Sequence, residues 1–247
     1  MSSVISIITP DWPAPARVRA LSTTRNGGIS GGAYHALNLG DHVGDEMRAV
    51  SSNRARLIEQ CSLPEMPRWL QQVHGREVAD LRSYQAPQRA DAGWTSQSRQ
   101  VCAILTADCL PVLFCNDSGS VVAAAHAGWR GLAAGILEAT LAELPVPTAG
   151  LMAWLGPAIS QMAFEVGAEV RDTFVAQDPQ SRDCFIAAAT PGKYRADLYE
   201  LARRRLRAQG VGAIYGGEYC SYSDPQRFFS YRRDGVCGRM ASLIWIE

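Results

Sequence analysis

The stretch of residues 101–137 constrains the fold more than any other part of the chain, because its pattern predicts a hairpin followed directly by a helix. Two apolar runs, 110–115 and 120–125, flank the sequence NDSG at 116–119. Turn-forming residues between two apolar runs are typical of antiparallel strands joined by a short turn. The apolar periodicity of residues 132–141 then predicts a helix.

The predicted hairpin brings together two residues whose side chains could react or bind a metal. If Asn116 pairs with Gly119, the register places Cys109 directly opposite His126. Directly opposed residues on one face of a sheet have Cβ atoms about 4.5–5.5 Å apart. This spacing suits a thiolate–imidazole pair or two ligands of one metal. The prediction depends on the register, because a slip of one residue would send the two side chains to opposite faces.

The composition indicates a chain with a large core and no general affinity for polyanions. The 247 residues are 47% hydrophobic, which is ample for a buried core, and we expect one catalytic domain over 1–247. The 24 basic and 24 acidic residues cancel, so no overall field would recruit nucleic acid or an anionic membrane. Any anionic ligand would have to be held by local arginines.

The cysteine usage and the hydropathy pattern point to the cytoplasm. The seven cysteines are scattered and form no C-x-x-C motif, which favours a reducing compartment over a disulfide framework. The first residues lack the pattern of a secretory signal, and no apolar run approaches the roughly 18 residues of a membrane span. We therefore expect a cytoplasmic protein, either a monomer or a weak homo-oligomer.

Other patterns predict an alternation of short strands and helices without internal repeats. Strands are expected at 4–8, 18–24, 77–81, 101–105, 151–155, 213–215, 228–231 and 240–246, and helices at 46–60, 164–175 and 198–208. Four arginines crowd the last of these helices, and we interpret them as a solvated face. Asp197 is suited to cap its first turn.

Two places in the chain suggest an anion site. Residues 25–32 form a loop with four glycines that begins at Arg25, so backbone N–H groups and a guanidinium could meet a phosphate or carboxylate there. The strand-to-helix junction after His126 offers a helix N-terminus with Arg130 beside it. Either set of glycines is also explained by a flexible turn or by close packing, and the sequence leaves these alternatives open.

The pair Cys109 and His126 supports three interpretations. His126 could deprotonate Cys109 for nucleophilic attack on a carbonyl. Both could instead bind a metal, with His74 as the third ligand because the glycine that follows it allows close backbone approach. Three protein ligands leave a zinc position open, and zinc lowers the pKa of a bound water to about 7. Alternatively, Cys109 and His126 are ordinary core residues.

Seven segments of the sequence resemble the laccase-domain, or polyphenol oxidase, family. The segments are TTRNGGISGGAYHALNLGDHVGD, WLQQVHG, TADCLPVLFC, HAGWRGLAAGILEA, AWLGPAIS, KYRADLYELA and FFSYRRDGVCGRMASLIW. The resemblance spans nearly the whole chain. It implies an α+β fold, a single-domain four-layer α-β-β-α sandwich with mixed β-sheets, and it implies that His74, Cys109 and His126 are the metal ligands.

Members of this family are described as zinc-dependent purine nucleoside phosphorylases with adenosine deaminase activity, and also as a peptidoglycan editing factor. The resemblance thus implies zinc, phosphorolysis of adenosine, inosine or methylthioadenosine, and deamination of adenosine. It suggests Arg25, Asn38 and Arg130 as substrate contacts, with Arg25 or Arg130 holding phosphate. Asp108 is a candidate proton shuttle beside Cys109 and His126 in the deamination.

Three other functions remain as alternatives. An amide hydrolase could edit peptidoglycan precursors with the same cysteine or metal. A copper-dependent polyphenol oxidase needs a blue copper centre and a histidine-rich trinuclear cluster, which four histidines in the chain cannot supply, although copper could occupy one Cys-His-His site. A non-enzymatic zinc module would need a fourth ligand, and the sequence offers no obvious one near the other three.

Overall fold

The computed structural model describes residues 4–86 and 88–247 as fifteen strands, six α-helices and four short 3-10 helices. The strands are β1 (Ile7–Ile8), β2 (Val18–Thr23), β3 (Leu70–Gln71), β4 (Val78–Asp80), β5 (Gln88–Arg89), β6 (Ala92–Thr95), β7 (Cys102–Thr106), β8 (Leu110–Asn116), β9 (Val122–Ala127), β10 (Leu151–Leu155), β11 (Glu165–Gly167), β12 (Phe185–Ala187), β13 (Lys193–Ala196), β14 (Ala213–Gly216) and β15 (Met240–Ile246). The helices are α1 (Met47–Gln60), α2 (Trp129–Ala134), α3 (Ile136–Glu143), α4 (Ala168–Gln177), α5 (Leu198–Ala208) and α6 (Tyr231–Asp234). The 3-10 helices are Gly32–Tyr34, Leu81–Ser83, Thr148–Gly150 and Pro179–Cys184.

Two large sheets form the centre of the molecule. The four-stranded sheet has the order β1-β2-β15-β7 and is antiparallel throughout. The six-stranded sheet has the order β14-β10-β8-β9-β6-β4 and is mixed, because its two outermost strands each run parallel to their neighbours. Small sheets β11-β13-β12 and β3-β5 lie outside this pair.

Alternation of side chains along the strands builds the layers. In β7, Ile104 packs into the core between the two sheets, while Leu105 packs into a second core that includes Leu57 of α1. In β8, Leu113 faces the core between the sheets, and Phe114 faces a third core shared with α3 and α5. The order of layers is therefore α1, four-stranded sheet, six-stranded sheet and α3 with α5. The predicted four-layer α-β-β-α sandwich is confirmed.

The hairpin forms, but the predicted register is wrong by two residues. Pro111, not Cys109, lies opposite His126 in the β8–β9 ladder. The cause is Asn116, whose side-chain Oδ1 accepts the N–H groups of both Ser120 and Val121 and so opens a longer loop. A shift by two residues keeps every side chain on its own face. Cys109 and His126 therefore remain neighbours on one face, related diagonally.

Three further predictions need correction. The predicted helix at 164–175 is a strand, β11, followed by α4, because Gly167 interrupts the pattern and becomes the N-cap. The predicted strand at 228–231 is absent from the described chain, since Ser230 caps α6 by accepting the N–H of Arg233. The helix after the hairpin is divided into α2 and α3 at Gly135, which has a φ of 94°.

Helix α5 confirms its predicted bounds, and the Asp197 side chain caps it by accepting the N–H of Glu200. Its arginines are not simply solvated: Arg204 pairs with Asp178, and Arg205 pairs with Glu138. In the described part of the chain, no helix has both the length and the hydropathy required to cross a bilayer.

Candidate metal centre

Three residues from separate segments converge at one end of the sheets. The ligand atoms of His74, Cys109 and His126 all lie within 4.8 Å of one another. The Cys109 Sγ is 3.9 Å from the His74 Nε2, and the two imidazole rings meet edge to face with centroids 4.8 Å apart. Within residues 4–86 and 88–247, this is the one group of three or more His, Cys, Asp or Glu residues close enough to share an ion.

Each member of the group is held by a different local structure. His126 is in β9 and is 3% exposed. Cys109 lies in the short connection between β7 and β8, and His74 lies between β3 and β4. Both His74 and Asp108 have a left-handed backbone, with φ values of 61° and 91°. Such conformations cost about 1–3 kcal/mol each and persist only where the surroundings enforce them.

Asp91 holds the backbone of His74 in this conformation, although in the sequence it stands out only as an acid among small apolar residues. Its side chain is 0% exposed. The carboxylate accepts the N–H groups of Val73, His74 and Gly75 at 3.1, 2.9 and 2.7 Å. It also lies 2.8 Å from the Nδ1 of His126. One buried carboxylate thus fixes both histidine-bearing segments.

The contact with Asp91 determines which nitrogen of His126 is free. A carboxylate that accepts the Nδ1–H of an imidazole leaves Nε2 as the ligand atom and raises its basicity. Although burial opposes it, the hydrogen bonds from His126 and from backbone N–H groups lower the pKa of Asp91. Asp91 is therefore a carboxylate, as this role requires.

Cys109 and His126 shift each other toward the charged forms. Burial alone would raise the pKa of the Cys109 thiol, but the adjacent imidazoles of His126 and His74 outweigh it and lower that pKa. Burial would likewise lower the pKa of His126, but Cys109 and Asp91 raise it. Without a metal, these opposite shifts favour a thiolate beside an imidazolium. A thiolate is the form that either binds a metal or acts as a nucleophile.

The fit of a metal can be judged from these donors. A tetrahedral zinc with Zn–S of about 2.3 Å and Zn–N of about 2.0–2.1 Å separates sulfur and nitrogen by roughly 3.6 Å. The Cys109 Sγ and His74 Nε2 are 3.9 Å apart, so a small adjustment suffices. His126 offers Nε2, and no fourth donor from the described residues belongs to the group. The residues fit one metal ion with an open position.

The carboxylate of Asp108, the candidate proton shuttle, is occupied by other hydrogen-bond partners. Its carboxylate accepts the hydroxyls of Ser221 and Ser230 at 2.6 and 2.9 Å and the N–H of Arg232 at 2.7 Å. A side chain that is 8% exposed and holds three hydrogen bonds is poorly placed to exchange protons. This placement favours a positioning role, in which Asp108 ties the segment before α6 to the backbone beside Cys109.

The glycine at 128 is required by the metal centre itself. A Cβ on Gly128 would lie 2.8 Å from the Cys109 Sγ and 3.4 Å from the Cδ2 of His74. At Gly131, a Cβ would lie 2.9 Å from the backbone oxygen of Gly75. Close packing therefore explains both glycines, which is one of the alternatives that the sequence left open.

We expect Gly128→Ala to weaken metal binding about tenfold, because the new methyl group displaces the Cys109 sulfur by several tenths of an ångström. Competition with a chromophoric chelator measures the change in affinity. Gly31→Ala is the matched control, since a Cβ there meets no atom within 4 Å. An unchanged affinity in Gly128→Ala would show that the sulfur tolerates displacement.

The three candidate ligands line a pocket of about 440 Å³. This volume lies within the range of about 300–1,000 Å³ typical of small-molecule sites. The other residues that line it are His42, Gln72, Leu105, Thr106, Ala107, Arg130, Tyr231 and Arg239. Arg130, a predicted substrate contact, is therefore at the pocket. Arg239, which the sequence did not suggest, is there as well.

Two other predicted substrate contacts have structural partners instead. Arg25 donates to the backbone oxygens of His35 and Pro225 and stacks on Phe229, and it does not line the pocket. Asn38 is 0% exposed and bonds to Gly40, Asp45 and Arg239. Neither placement supports direct contact with a substrate.

The fold and the site together define an α-β-β-α sandwich with one candidate metal centre at the floor of an open pocket. The chain belongs to the family described as multi-copper polyphenol oxidoreductase laccase, which matches residues 19–247. It is 56% identical over 240 residues to a purine nucleoside phosphorylase of Pseudomonas aeruginosa, covering 97% of this chain and 98% of that protein. It is 52% identical over 241 residues to the purine nucleoside phosphorylase YfiH of Escherichia coli, with coverage of 97% and 98%.

Solved structures show the same fold. A crystal structure of a Neisseria meningitidis protein superposes with a TM-score of 0.94 at 51% identity, covering 98% of this chain and 99% of that one. YlmD from Geobacillus stearothermophilus gives a TM-score of 0.86 at 33% identity, with coverage of 95% and 94%.

The copper in the family's description does not match the donor set of this chain. Of the four histidines, His35 and His42 lie outside the three-residue group. Both are exposed, and His42 lines the pocket while His35 does not. The described residues therefore offer one Cys-His-His group, and a blue copper centre plus a trinuclear cluster would need several more histidines.

Proposed function

We propose that this protein is a metal-dependent purine nucleoside phosphorylase that acts on inosine, adenosine and methylthioadenosine. The observation that carries the proposal is the three-donor group His74, Cys109 and His126, open on one side to a pocket that also contains arginine side chains. The names of relatives at 52–56% identity support it. Zinc is the metal we propose, because one thiolate and two imidazoles suit it and leave a position free.

In phosphorolysis, a phosphate oxygen forms a bond to the anomeric carbon of the sugar while the bond from that carbon to N9 of the purine breaks. The electron pair goes to N9, which takes up a proton. When bound, the metal would supply Lewis acidity at the floor of the pocket. The protein's own contribution is to hold the phosphate against the anomeric carbon with Arg130, which lines the pocket beside Cys109 and His126.

Trp129, next to Arg130 in α2, is poorly placed to stack on a purine base. It is only partly exposed, packs against the core beneath the six-stranded sheet, and carries the Arg130 guanidinium 4.6 Å above its ring. Tyr231, at the rim of the pocket and 62% exposed, is better placed to cover a purine.

Deamination of adenosine at the same centre is a second candidate. The open side of the three-donor group favours it, since a water must reach the metal there as well as a substrate. The pocket offers no Asp or Glu among its described lining residues, and Asp108 is occupied by Ser221, Ser230 and Arg232. Among the described lining residues, His42 is the imidazole that is not a proposed metal ligand, so proton transfer in this reaction would fall to His42 or to solvent.

The test combines metal analysis with a product assay. Protein purified anaerobically should contain about one zinc per chain and should release hypoxanthine from inosine only when phosphate is present. Adenosine with and without phosphate separates phosphorolysis from deamination. Release of an amino acid from a muropeptide, without base release from any nucleoside, would instead establish the amide hydrolase alternative.

A further inference from the structure

We propose that Arg239 and Arg130 together form the phosphate site of the pocket, and that Asn38 positions Arg239. The inference rests on the proposed function and assigns the anion to two named side chains. It replaces Arg25, whose guanidinium is committed to His35, Pro225 and Phe229 outside the pocket.

The charges around the pocket favour an anion. Its described lining residues include two arginines and no carboxylate. Elsewhere in the described chain, arginines commonly pair with acids, as Arg204 does with Asp178 and Arg205 with Glu138. Neither Arg130 nor Arg239 takes part in an ion pair of the described residues. Two guanidiniums facing one pocket without acids leave a net positive charge for a ligand to neutralise.

The bonding of Arg239 leaves one edge of its guanidinium free. Its Nη1 donates to the backbone oxygens of Cys237 and Gly238 at 2.9 and 3.0 Å. These bonds fix the plane of the group, and the described residues provide no acceptor for Nε or Nη2. The Nε–Nη2 edge is the one that binds two oxygens of a phosphate or carboxylate in parallel.

Arg130 lines the same pocket from the start of α2, a segment far in sequence from Arg239. Its guanidinium lies over the ring of Trp129, with 4.6 Å between the central carbon and the ring centroid. The stacked position limits the conformations of an otherwise exposed side chain. Less conformational entropy is therefore lost when the guanidinium binds a ligand.

Asn38 and Gly40 fix the position of Arg239 through its backbone and the stem of its side chain. The Oδ1 of Asn38 accepts the backbone N–H of Arg239 at 2.9 Å. Its Nδ2 donates to Gly40 and Asp45, so every side-chain group of Asn38 is bonded. A Cβ on Gly40 would lie 2.8 Å from the Cγ of Arg239, which shows how closely the stem of the arginine passes. Asn38 is thus a positioning residue that acts through Arg239.

Phosphate fits this arrangement better than a carboxylate does. One arginine edge satisfies both oxygens of a carboxylate, whereas a phosphate dianion offers oxygens to two guanidiniums at once. The second positive charge is then matched by the second negative charge of the ligand.

Calorimetric titration with inorganic phosphate tests the assignment directly. The zinc-loaded wild-type protein should bind phosphate, and we expect Arg239→Gln and Arg130→Gln each to weaken this binding at least about tenfold. In the inosine assay, Arg239→Gln should raise the KM for phosphate by a similar factor and change the KM for inosine less than twofold. Arg182→Gln, at an exposed arginine of a 3-10 helix outside the pocket, is the matched control.

The possible results separate the inference from the proposed function. Phosphate binding that depends on Arg239, in a protein that releases no base from any nucleoside, would uphold the site and refute the function. Phosphorolysis with normal phosphate binding in Arg239→Gln would refute the site and uphold the function. Acetate binding as tight as that of phosphate, or an equal rise of both KM values in Arg239→Gln, would also overturn the assignment.

A double-mutant cycle tests the role of Asn38. Asn38→Ala should weaken phosphate binding in the wild-type background but have no further effect in Arg239→Gln, because its action passes through Arg239. If Asn38 had a merely structural role, Asn38→Ala would reduce the unfolding free energy by the same amount in both backgrounds. Any losses of phosphate affinity caused by Asn38→Ala and Arg239→Gln would then add in the double mutant. Additive losses in phosphate affinity would therefore contradict the positioning role.

Discussion

Replacing Cys109 with alanine should remove the metal and reduce phosphorolysis at least about 10³-fold. Loss of the thiolate leaves two imidazoles, and the Lewis acidity that a bound metal supplies amounts to several kcal/mol of transition-state stabilisation. The fold should survive, because Cys109 is only partly buried and the contacts of its sulfur in the described chain are those of the site. Metal-to-protein ratio, kcat/KM for inosine and thermal unfolding measure the three effects.

Cys61→Ala is the matched control for this variant. Cys61 is also partly buried, but it lies at the end of α1 and outside the metal pocket. It should keep its metal and its activity. If Cys109→Ala retained both, the metal centre would not be the site of the chemistry. If it kept the metal but lost activity, Cys109 would act as a nucleophile.

The second large effect is expected at Asp91, a residue that is not itself a candidate metal ligand but holds two of them. Asp91→Asn should weaken metal affinity about 10–100-fold and lower the unfolding free energy by about 2–4 kcal/mol. The carboxylate accepts three backbone N–H groups and the Nδ1–H of His126. A carboxamide must turn its NH₂ toward at least one of these donors, and His126 then loses the partner that orients its ring.

Chelator competition and urea unfolding report the two consequences of Asp91→Asn separately. Asp11→Asn, at an exposed residue near the start of the chain, should change neither quantity. An Asp91→Asn protein of reduced stability but wild-type metal affinity would show that Asp91 supports only the fold. Unchanged stability and affinity together would contradict both roles.

Local patterns were sufficient to predict most of the framework. The apolar runs of β8 and β9 and the periodicity of α1 and α5 are properties of neighbouring residues, so the sequence displays them directly. The face shared by Cys109 and His126 was also predictable, because an error of two residues in register does not change the face of a strand. The register itself depended on the side chain of Asn116, which competes with the backbone for hydrogen bonds in the turn.

The supporting residues of the site could not be predicted, because their partners lie far away in the chain. Asp91 meets His126 across 35 positions, and Asn38 meets Arg239 across 201. No periodicity or spacing encodes such contacts. The glycine loop after Arg25 has the composition of an anion site, yet the guanidinium is used to join that loop to the segment around Pro225. Composition shows which chemistry is available, and long-range packing decides where it is used.

The place of β15 has a consequence for the order of folding. This last strand pairs on one side with β2 and on the other with β7, so the four-stranded sheet has two unpaired edges until the strand is inserted. The metal donors at 74, 109 and 126 lie on segments that precede it, whereas Tyr231 and Arg239 arrive with the final stretch of chain. Contacts of such large sequence separation form slowly. A folding chain should therefore acquire its capacity to bind metal before it can bind phosphate.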